Sequence, residues 1–203
     1  VWEIVHELPE WEPGGPLVYG SLPYEPGVRS TLVALLLRRL GELAPRWAGA
    51  AAGSLSLSRT YLGQPRLLVD GRPGPGLSFA HAGGRLWAAL AAAGMVGLDL
   101  ASREEGAGFA VPQDLVRLAA RLGGDAADAA ALLRAMKGAA LKALGVGFRY
   151  ADPGQLQVTA PTLWPGGVRC AVRAGGLVPV YARREGRFWL ALAVRVGFED
   201  LAR

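Results

Sequence analysis

Cysteine is almost missing from this 203-residue chain: Cys170 stands alone, which excludes an intrachain disulfide and any zinc site built from several thiolates. A lone cysteine in an apolar strand-like setting is expected to be a small buried core residue. Histidine is scarce too, and His6, with no second ligand near it in sequence, reads as a surface imidazole. No apolar run reaches the roughly 20 residues needed to cross a bilayer as a helix; the longest, at 86–98, is too short and is broken by small residues. The first residues carry Glu3 and Glu7 where a secretory signal would be basic, so no export segment is expected and the cytoplasm is the expected location. No basic run with interleaved aromatics is present, which argues against a nucleic-acid binder.

What is present is core-forming material. Apolar residues make up 51% and charged residues 19%, too apolar for a disordered chain. The net charge is +5, and of the 22 basic residues only Lys137 and Lys142 are lysine. Arginine's planar fork suits phosphate, so an anionic partner fits, although charge alone does not choose between nucleic acid, phosphorylated cofactor and acidic protein.

Periodicity predicts a helix over 28–43, a second over 112–122 with Pro112 in its first turn, and a third over 125–144 capped by Asp125 and stopped at Gly145. Alternation predicts a strand over 54–60. The stretch 147–198 reads as short strands ending in a hairpin turned at Glu185-Gly186. One internal echo matters here: GRLWAALA at 84–91 recurs as GRFWLALA at 186–193, six identities in eight at a spacing of 102, about half the chain. The pair predicts two related halves that each contain this strand, with Trp87 and Trp189 in the core. The fold class expected is α+β, with two pseudo-symmetric lobes, each a small antiparallel sheet with packed helices, divided at about 1–98 and 99–203.

Four segments, in order, carry a family likeness: G-Q-P at 63–65, LSFAH at 77–81, VGLDLA at 96–101, and MKGAALK at 136–142 followed by G-V-G at 145–147. Together they resemble the 4'-phosphopantetheinyl transferase superfamily, in its two-lobed type that activates carrier proteins of peptide and polyketide synthases in secondary metabolism. The corresponding family patterns are G-K-P, F-N-x-S-H-S, G-x-D-x-E, and W-x-x-K-E-x-x-x-K with G-x-G after it. The likeness covers roughly residues 60–148, and the ordered set is more specific than any one motif.

The resemblance implies transfer of a phosphopantetheine arm from coenzyme A to a serine of an acyl or peptidyl carrier protein, in a cleft between lobes, with Mg2+ against the diphosphate. It implies a metal and catalytic role for Asp99. It gives coenzyme A contacts to His81, Lys137, Lys142, Gln64 and Arg134, and to Lys142 a further catalytic part. The chain departs from the pattern at the metal: Ala101 and Gly138 stand where the family has carboxylates, Gln64 replaces the lysine of G-K-P, Ala80 replaces a serine, and Ala135 falls near the tryptophan. Glu104 or Glu105 is offered as a displaced ligand. Two readings therefore stand: a working transferase using Asp99 with a substituted ligand, and a homologue that binds coenzyme A or a carrier protein without turnover. A monomer is expected.

Overall fold

Every helical position from 28 that periodicity marked as apolar is built into α1 (Val28–Leu43), and Leu32, Leu36 and Leu40 are fully buried along one stripe. The structure, a computed structural model, describes residues 6–8, 15–107, 110–146 and 155–196. Gly147, the last glycine of the G-V-G segment, lies outside the described residues, as does Glu3.

The chain divides into a first unit of Val1–Val96 with Val194–Arg203 and a second of Gly97–Ala193. The first boundary falls two residues before the expected one, and the final segment returns to the first unit. Gly94 accommodates that return: a Cβ on it would come 2.4 Å from the Arg195 carbonyl oxygen, a distance only glycine avoids.

In the first unit, β1 (His6–Glu7), β2 (Leu17–Pro23), β6 (Gly76–Ala82) and β7 (Arg85–Ala91) form a sheet in the order β1-β2-β7-β6, and β3 (Leu55–Arg59), β4 (Pro65–Val69) and β5 (Arg72–Pro73) form another. The registered pairings are antiparallel. α1 packs on the first sheet, where Val18, Leu86, Ala88 and Leu90 share its core. Two short 3-10 turns, Pro45–Trp47 and Ala50–Ala52, follow α1. The Trp47 indole donates to the Ala92 carbonyl at 3.0 Å, fastening this connection to the end of β7.

In the second unit, β8 (Met95–Ala101), which belongs to it from Gly97 on, leads through α2 (Gln113–Arg121) and α3 (Ala126–Ala143) to β9 (Gln157–Trp164), β10 (Gly167–Arg173), β11 (Leu177–Glu185) and β12 (Phe188–Arg195), the last as far as Ala193. Both helices end within a residue of the sequence expectation. The sheet order is β8-β12-β11-β10-β9. α3 is buried along most of its length, because Ala, Gly and Leu leave little side chain to hold neighbours away. Leu132, Leu133 and Leu141 are at most 1% exposed, and each contributes on the order of 2 kcal/mol of burial. The α3 N-terminus is fixed by a capping box in which Asp125 and Asp128 accept each other's backbone N–H, at 3.0 and 3.2 Å. The protein is thus α+β with antiparallel sheets.

A partial plan recurs in both units: a strand that precedes the helix lies beside the last strand, and the last beside the one before it (β2-β7-β6 and β8-β12-β11). The octapeptide echo does not superpose on that plan. The hairpin turns are Gly83-Gly84, closed by Ala82 opposite Arg85, and Gly186-Arg187, closed by Glu185 opposite Phe188. Matching turn to turn equates Leu86 with Trp189, Ala88 with Ala191 and Leu90 with Ala193, a spacing of 103 rather than 102. Those pairs are the residues that face the two helices. A one-residue slip turns every side chain to the other face. Trp189 therefore sits in the α3 core, whereas Trp87, also buried, is not part of the α1 core. The echo located both strands correctly, but its equation of the two tryptophans is corrected, as is the turn, which is one residue later than expected.

Candidate functional site

β8 runs against α3 more closely than two elements with side chains can. A Cβ on Gly97 would stand 1.8 Å from the Ala139 carbonyl oxygen and 2.6 Å from the Ala143 nitrogen. Alternation along β8 puts Gly97, Asp99 and Ala101 on one face, and Ala101 joins the α3 core. Asp99 lies between them and meets Lys142, near the C-terminal end of α3. The Lys142 ammonium donates to Asp99 Oδ1 at 2.7 Å and to the Leu98 carbonyl at 2.8 Å. The two side chains are 14% and 32% exposed, so the pair is mostly withdrawn from water. It spans 43 positions of sequence. Two of the three ammonium donors are thereby directed, which fixes where the charge sits. The Leu98 carbonyl was not foreseeable as a partner, because backbone acceptors carry no sequence signal.

Arg134 and Lys137 lie on the same helix, Arg134 half-buried and Lys137 buried. Gly138, where a carboxylate was expected, is also buried.

The carboxylates suggested as replacements sit just after β8, in a turn of their own. The Ser102 N–H donates to Glu105 Oε2 at 2.8 Å, the Glu105 N–H reaches the Ser102 hydroxyl at 3.4 Å, and the Gly106 N–H closes on the Ser102 carbonyl at 3.1 Å. Glu105 is thus used as the second half of a Ser-x-x-Glu capping box. Glu104 is exposed, and a hydrogen bond from the Ser102 side chain, helped by Arg187 and Arg103, holds its carboxyl below the usual range. Among the described residues no three His, Cys, Asp or Glu side chains gather in a way that could hold a metal ion. The donor set around Asp99 does not fit Mg2+, which needs several oxygens in near-octahedral array: one Asp99 oxygen accepts a lysine, and Ala101 and Gly138 offer none.

His81 and Gln64 belong to the first unit. His81 is exposed near the end of β6, where its ring meets Tyr24 edge-on, centroids 4.9 Å apart at 80°. Gln64 closes the β3–β4 turn: its backbone N–H donates to Thr60 Oγ1 at 3.1 Å, and its side-chain amide reaches the Met95 sulfur at 3.7 Å.

A second charged group, not anticipated from sequence, lies at the other end of α3. Arg184 pairs with the buried Asp128 carboxylate and stacks over Trp189, 5.4 Å from the ring, while Arg103 pairs with Asp125. This group secures the start of α3 to β11. Cys170 is 6% exposed, its sulfur 3.6 Å from that of Met136, and burial pushes its thiol up to about 12, so it is a core residue and not a nucleophile.

No protein-family model matches the chain, and no curated protein matches it in sequence.

Proposed function

We propose that the chain is a 4'-phosphopantetheinyl transferase-like protein, which transfers the phosphopantetheine arm of coenzyme A to a serine hydroxyl of an acyl or peptidyl carrier protein. The observation that carries this reading is the meeting of Asp99 and Lys142. The resemblance nominates the two residues separately, from motifs 43 positions apart, and the fold joins them at 2.7 Å. A chance likeness between short motifs has no reason to select two side chains that are partners. The same helix holds both lysines of a chain that otherwise uses arginine.

On this reading Lys142 supplies fixed positive charge to the diphosphate, whose negative charge grows as the adenosine bisphosphate leaves. Asp99 and the Leu98 carbonyl hold that ammonium in place. Arg134 and Lys137, on the same helix, are assigned to coenzyme A by the resemblance. His81 and Gln64 are assigned to coenzyme A by the resemblance alone. A cytoplasmic location and a monomeric state belong to the same reading.

A second reading, a homologue that binds coenzyme A or a carrier protein without turnover, is favoured by the donor set: Asp99 faces a lysine, and Ala101 and Gly138 offer no ligand. Mass spectrometry separates the two. Incubation of an apo carrier protein with the chain, coenzyme A and Mg2+ is expected to add the phosphopantetheine mass. An unmodified carrier at high protein concentration, with coenzyme A still bound, selects the second reading; loss of both signals rejects the family assignment.

A further inference from the structure

Two exposed large apolar side chains of the first unit stand side by side at the tip of the β3–β4 hairpin. Tyr61 is 101% exposed and Leu62 41%. Apolar groups in water are ordinary when scattered and informative when grouped on a rigid support. Here the support is well bonded. Thr60 N–H donates to the Gln64 carbonyl at 2.8 Å, Gly63 N–H to the Thr60 carbonyl at 2.9 Å, and Gln64 N–H to the Thr60 hydroxyl at 3.1 Å. Gly63 takes the left-handed conformation, φ 83°, that the turn needs. These hydrogen bonds fix the backbone that carries a tyrosine and a leucine into solvent, so little backbone freedom is left to lose on contact.

The charges that flank the tip are of one sign. Arg59 and Arg66, at the strand ends beside it, are exposed on opposite faces of the hairpin, and neither forms an ion pair among the described residues. Asp70, the acid of this sheet, accepts the Ser54 N–H at 2.8 Å. An aromatic anchor flanked by exposed arginines is the composition of a protein-binding hot spot aimed at an acidic surface. Two apolar side chains are too few for stable membrane attachment, so the observations favour a protein.

We infer that the β3–β4 tip docks the acidic protein substrate, with Tyr61 and Leu62 entering an apolar groove of the carrier and Arg59 and Arg66 facing its carboxylates. The inference rests on the transferase reading for the identity of that partner.

Binding of a fluorescently labelled apo acyl carrier protein, measured by anisotropy without coenzyme A, tests it. The variants are Tyr61→Ala with Leu62→Ala, and Arg59→Glu with Arg66→Glu. Because these side chains are exposed, thermal melts are expected to match the parent. Each double variant is expected to weaken carrier binding at least tenfold while coenzyme A affinity stays unchanged. Equal carrier binding in parent and variants would overturn the docking surface even if phosphopantetheine transfer proceeds. Tip-dependent carrier binding with no coenzyme A binding would keep the surface and remove the transferase reading. Absence of carrier binding, with Tyr61-dependent sedimentation on anionic phosphatidylserine vesicles, would overturn the proposal in favour of a membrane.

Discussion

Gly97 of β8 lies directly against the Ala139 carbonyl of α3, at a distance that leaves no room for a methyl group. This contact sets the spacing at which Asp99, two residues on, reaches Lys142. The obstacle is backbone on both sides and cannot rotate away. Gly97→Ala is therefore expected to destabilise the protein by about 3 kcal/mol, read as a lower urea midpoint. A variant as stable as the parent would show that β8 and α3 stand further apart than described.

The Asp99–Lys142 pair is expected to be coupled in stability. In a double-mutant cycle with Asp99→Asn and Lys142→Met, the interaction energy is expected at about 1–2 kcal/mol, as for hydrogen bonds to charged groups away from bulk water. A coupling of a few tenths would place the pair among exposed ion pairs of little consequence.

How far the sequence spoke depended on the kind of signal. α1 was legible from its apolar period, and α3 because period, the Asp125 cap and Gly145 agree. The strands of the echo were legible because Gly-Arg-x-Trp marks the start of a strand after a turn. The one-residue difference between the two hairpins was not, since it arises from which residues the turn uses, Gly83-Gly84 in one case and Gly186-Arg187 in the other. At the site, motif order pointed to Asp99 and Lys142 but gave no hint that they bond to each other. The cluster of Arg184 with Asp128 was hidden for the same reason: 56 positions separate them, and only the sheet brings them together.

Acid is expected to loosen the start of α3. The Asp128 backbone N–H, and then Arg103, hold the Asp125 carboxyl below its ordinary value of 3.8. The folded protein therefore binds fewer protons at this group than the unfolded chain. The stability it lends is complete above the ordinary value and is lost as pH falls through the lowered one. Asp125→Asn keeps a capping side chain but cannot titrate. It is expected to flatten part of the fall in melting temperature below about pH 4; a pH profile identical to the parent's would refute the role given to this carboxylate.

Cys170 is expected to resist modification. With its thiol pushed up to about 12 and buried beside Met136, a disulfide reagent at pH 8 should react only as fast as the protein unfolds. Labelling in denaturant should be complete at once. Rapid labelling of the native protein would contradict the placement of β10 against α3.

On the transferase reading, the Asp99–Lys142 end of α3 recognises a phosphate-rich nucleotide. Coenzyme A is titrated calorimetrically into the parent and into Lys142→Met, with circular dichroism to verify folding. Saturable binding that weakens at least tenfold in the folded variant is expected; no heat of binding in the parent, or equal affinity in both proteins, would overturn this reading.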